Sequence, residues 1–63
     1  MDIIAHIKKR GMTVAAVARM AGVSRPSVYA LNEPDHKPAL ATVLSVARVI
    51  GLKPVDIRPE IGK

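Results

Sequence analysis

Arg25, Ser27, Tyr29 and Asn32 carry side chains suited to recognising another molecule without reacting with it. A guanidinium presents a fork of donors that matches the two acceptors on a guanine edge. A serine hydroxyl and an asparagine amide can each meet a base edge or a phosphate oxygen. A tyrosine ring packs on a thymine methyl, or its hydroxyl reaches a phosphate. The four residues fall on or near the outer face of one short helix, with Val28 and Leu31 turned inward three residues apart. The chemistry this suggests is the reading of double-stranded DNA through the major groove, which admits an α-helix.

The elements that must position these groups are written in residues 14–31, VAAVARMAGVSRPSVYAL. Thr13 caps a helix whose buried stripe is Val14, Val17, Ala18 and Ala21. Ala18 is small enough to let a second helix approach. Gly22 stops the first helix with a positive φ at little cost, and Val23 plugs the turn. Ser24 caps the next helix and Pro26 is pre-set for its first turn, so the spacing predicts a helix over 25–32.

AVARMAGVSRPSVYALN resembles the helix-turn-helix of the lambda-repressor-like (Cro/XRE) DNA-binding family, and KPALATVLSVARVIGLKPVDI resembles the segment that follows it there. The likeness runs from Ile3 to about Ile57. KKRGMTVAAVARMAG and GLKPVDIRP are also similar to the Ner-like regulators of Mu-type phages. The resemblance implies an all-α, compact domain of four to five helices. It also implies that Arg25, Ser27, Tyr29 and Asn32 read the sequence. Val14 stands where many members of the family have a glutamine that supports a phosphate contact, and 33–38 is longer than the Ner pattern.

Composition agrees with such a partner. Ten Lys and Arg against five Asp and Glu give a formal charge of +5, the electrostatic footprint of a nucleic-acid binder. The phosphate-contact candidates are Thr13, Arg19, Ser24, Lys37 and Arg10, with His36 beside Lys37 in the loop. Lys8, Lys9 and Arg10 fall in the last turn of a first helix capped by Asp2, where they either complement the helix dipole or approach DNA.

The 63 residues are read as one domain, with 58–63 as a tail. The chain has no cysteine, so its stability must come from an aliphatic helical core or from a partner subunit. The fourth helix, 39–50, shows one apolar stripe at Leu40, Val43, Leu44, Ala47 and Ile50. It shows a second strip at Val46 and Val49. A helix apolar on two faces needs two partners, so Val46 and Val49 are expected at a homodimer interface. After Gly51, Pro54–Ile57 reads as a short helical turn, while Val55, Ile57 and Ile61 alternate with charges in a way that also suits an extended tail pairing across the dimer.

Other classes fit less well. The five carboxylates are scattered and no Ser–His or Cys–His pair can be assembled, so an enzyme is not expected. Asp35 and His36 are adjacent on a loop and cannot form a chelating face, so neither a metal nor a cofactor is expected. No apolar run approaches the ~18 residues of a membrane span, and no leader opens the chain. The expected location is therefore the bacterial cytoplasm, on the nucleoid. The leading expectation is a dimeric repressor of phage or prophage type bound to an inverted-repeat operator. An antitoxin that binds its own promoter, a protein-interaction module that has lost DNA, and a non-specific nucleoid binder are the alternatives.

Overall fold

The computed structural model describes residues 2–33, 35 and 37–59, which form five helices: α1 Ile3–Lys9, α2 Val14–Ala21, α3 Arg25–Ala30, α4 Leu40–Ile50 and α5 Pro54–Ile57. His36, Ile61 and Gly62–Lys63 lie outside the described residues. The first three helices start where the sequence puts a capping oxygen. Asp2 accepts from the Ala5 N–H (3.0 Å), Thr13 from Ala16 (3.1 Å) and Ser24 from Ser27 (3.3 Å). Each cap satisfies a first-turn donor that has no partner within its helix.

The turn between α2 and α3 rests on Gly22, at φ +72°. With Gly22 left-handed, the Val23 N–H folds back onto the Ala18 carbonyl at 2.9 Å, and the chain leaves α2 already aimed into α3. Ala18, 4% exposed, lies in the core between these helices. The chain reverses tightly enough for α3 to pack on α2.

The core gathers Ile3 and Ile7 of α1, Val17 and Ala18 of α2, Val28, Leu31, and Ile57 of α5 around one face of α4. That face is Val43, Val46, Ala47 and Ile50. Val46 is 0% exposed and Val49 is half-buried against the same core, so Val46 cannot meet a second copy of the chain. Both partners that α4 requires come from its own chain, α2 and α5. Leu40 and Leu44, expected inside, are instead 55% and 43% exposed.

The carboxyl end of α4 is closed by Gly51 and held by α1. The His6 Nε2 donates to the Ile50 carbonyl at 3.1 Å, which fixes the proton on that nitrogen because a carbonyl only accepts. One helical turn further on, the Arg10 guanidinium lies over Gly51, where an added Cβ would stand 3.1 Å from Nη1. Arg10 thus brings its charge to the negative end of α4.

Candidate nucleic-acid interface

Arg25 is the first residue of α3 and Tyr29 follows four residues later on the same side. Both are exposed, Tyr29 by 52%. They form one wall of an open groove of about 390 Å³. Ile4 and Lys8 of α1, Met12 and Thr13 of the first turn, and Val14 and Ala15 of α2 complete it. Lys8 and Arg25 are both cations, and among the described residues no acidic one lines the groove. The first turn of α2 adds the positive end of a helix dipole. An apolar floor with a cationic, hydroxyl-bearing rim can take a sugar–phosphate backbone, and Arg25 and Tyr29 stand beside it.

The hydroxyls fit that role unequally. Thr13 is exposed and accepts the Ala16 N–H, leaving its own proton for an outside acceptor. The Ser24 and Ser27 oxygens lie 2.8 Å apart and hydrogen-bond to each other. If the half-buried Ser27 donates inward, the exposed Ser24 keeps a donor for a phosphate, and Ser27 has none left for a base.

Asn32 is not on the outer face of α3. The helix ends at Ala30, and successive i→i−3 bonds from Leu31, Asn32 and Glu33 (3.1, 3.0 and 3.0 Å) tighten the chain out of α register. The Asn32 Oδ1 accepts the Ile3 N–H at 2.7 Å, and its Nδ2 donates to the Asp2 carboxylate at 3.1 Å. Its amide therefore pins the end of α3 to the start of α1. The bond from the Ala5 N–H, and then that from Asn32, hold the Asp2 carboxyl below its ordinary range.

Arg10, which follows α1 and lies over Gly51 at the end of α4, does not line the groove. Arg19 and Lys37 are exposed, and neither lines it. Lys8 does line it, and the only signal for Lys8 in the sequence was its place in the basic trio. Among the described residues no group of three or more His, Cys, Asp and Glu could hold a metal ion, and no helix is long and apolar enough to cross a membrane.

A cationic groove at the mouth of a helix–turn–helix defines a DNA-binding domain of the helix-turn-helix class. Residues 1–60 match the sequence profile of the family described as winged helix-turn-helix DNA-binding, and the chain belongs to that family. Among the described residues there is no strand from which a wing could be built. No curated protein and no solved structure gives a significant match.

Proposed function

We propose that the protein is a small dimeric regulator that binds specific double-stranded DNA by presenting α3 to the major groove, and that it represses transcription in the manner of phage and prophage repressors. The observation that carries this reading is the placement of Arg25 and Tyr29 on a groove edged by Lys8 and Thr13, with no carboxylate in its lining among the described residues. Recognition helices use their N-terminal residues on base edges, and Arg25 is the first residue of α3. Arg25 reads a guanine, while Tyr29 meets a thymine methyl or a phosphate. Thr13, Ser24, Lys8, Arg19 and Lys37 meet the backbone, which orients the protein without reading sequence.

A domain of this size makes few contacts, so two copies on a twofold axis read half-sites roughly 34–36 Å apart in an inverted repeat. The exposed Leu40 and Leu44 on α4 supply the apolar surface for pairing in place of Val46 and Val49. The narrower likeness to Cro/XRE and Ner-like regulators supports repression by promoter occupancy on the nucleoid. The same two leucines would also suit a toxin or other protein partner, which is the second reading.

The test compares Arg25→Ala, Lys8→Ala and Lys37→Ala on a panel of duplexes that differ at single base pairs. Arg25→Ala should relax preference at one position, worth about 1–3 kcal/mol. Each lysine variant should weaken every duplex alike and reduce the log–log salt slope by about 0.9. Identical behaviour of all three variants across the panel would sink this division of labour.

A further inference from the structure

α3 has six residues and no basic residue in its last turn, so its terminal carbonyls meet only the backbone N–H groups of Leu31, Asn32 and Glu33, and no local cation. The far end of the chain supplies that cation. Arg58, directly after α5, is only 9% exposed. Its Nη2 donates to the Glu33 carbonyl at 2.8 Å and, at a longer 3.5 Å, to the Ala30 carbonyl, the last of α3. Its Nε is buried without a hydrogen-bond partner among the described residues. A buried guanidinium with an unmet donor is a poor source of stability compared with an apolar side chain of similar length. What an apolar side chain does not supply is a fixed direction for the backbone it grips.

We infer that Arg58 is a positioning residue for DNA recognition: it sets the tilt of α3 from behind and touches no DNA. This rests on the reading of α3 as the recognition helix. The geometry gives the reason. α3 spans about 9 Å at 1.5 Å per residue. One end is fixed at the Ser24 turn, and the other is gripped by Asn32 toward α1 and by Arg58 toward α5. Releasing the α5-side grip lets the Tyr29 end swing about the Ser24 end. Base contacts depend on that angle, whereas backbone attraction depends mainly on charge.

The experiment uses the full chain with Arg58→Lys, which keeps charge and length but loses the planar fork, and Arg58→Met, which keeps only bulk. Wild type and variants are titrated against a duplex selected from random sequence by the wild-type protein and against a scrambled duplex, at several salt concentrations. Folding is monitored by far-UV circular dichroism. The expected result is folded variants whose ratio of specific to scrambled affinity falls about tenfold, the scale of one lost base contact. For Arg58→Lys, scrambled binding and the salt slope should be unchanged. An unchanged ratio in folded variants overturns the inference and leaves Arg58 a packing residue. Equal losses on both duplexes with a slope smaller by about 0.9 in Arg58→Met overturn it by placing Arg58 on a phosphate. Failure of both variants to fold overturns it as well, since Arg58 would then serve the fold as a whole. A wild type that does not discriminate the two duplexes refutes the underlying reading, and the inference falls with it. That outcome is separate because it is seen without any variant.

Discussion

Replacing Asn32 with alanine should cost stability and leave base preference intact. Asn32 gives an acceptor to the Ile3 N–H at 2.7 Å and a donor to Asp2 at 3.1 Å. Ile3 opens α1 and its side chain is 1% exposed, so its N–H has no intrahelical partner and limited access to water. An orphaned donor of this kind costs about 1–3 kcal/mol, and the exposed bond to Asp2 adds little. In a domain of this length each kcal/mol lowers Tm by roughly 4–8 °C, so a fall on the order of 10 °C is expected. Thermal unfolding followed by circular dichroism measures it. A double-mutant cycle with Asp2→Ala isolates the pair. On a panel of single-substitution duplexes, Asn32→Ala should bind below its Tm with the wild-type order of preference. An unchanged Tm together with lost discrimination at one base pair would refute the assignment and return Asn32 to the reading face.

Three further outcomes follow from the same geometry. The Asp2 carboxyl is held below its ordinary value of 3.8, so the unfolded chain binds the proton more readily. The stability Asp2 contributes is therefore complete above that value and is lost as pH falls through the lower folded value. Asp2→Asn keeps a capping acceptor and should flatten that part of a Tm–pH curve; parallel curves would show that Asp2 does not contribute to it. Val46→Ala should cost about 2 kcal/mol in denaturant unfolding, as a buried cavity does, without changing the sedimentation of the native protein, whereas Leu44→Lys should keep the fold and sediment as a monomer. Gly22→Ala places a side chain at φ +72° with nothing within 4 Å of its Cβ, so it should cost only the backbone strain of about 1 kcal/mol. Gly51→Ala should cost about the same, because the Arg10 guanidinium 3.1 Å from its Cβ ends a flexible, exposed side chain and can give by a few tenths of an ångström; a clearly larger loss would show that Arg10 is held rigidly there.

What was legible in the sequence was what is local. Thr13, Gly22, Ser24 and Pro26 act on neighbours within a few residues, so the caps and the turn between α2 and α3 could be read directly. Arg25 and Tyr29 were legible for the same reason, as i, i+4 neighbours on one helix. Asn32 was misplaced because the helix gives way to i→i−3 turns just before it, and no local residue type enforces that change. The face of α4 was misjudged because both stripes were apolar. Only the positions of α2 and α5 decide that Val46 goes in and Leu44 stays out. Arg10 and Arg58 carry no sequence signal, since the groups they meet stand far along the chain.

The most direct test of the central claim is selection from a pool of randomised duplex DNA, with binding followed by fluorescence anisotropy at two salt concentrations and the retained pool sequenced. The account predicts an enriched inverted repeat with half-sites about one helical turn apart, and binding that weakens steeply with salt. Binding without enrichment would make the protein a charge-driven DNA binder that reads nothing. No binding at the lower salt would contradict the account and turn attention to the exposed leucines of α4.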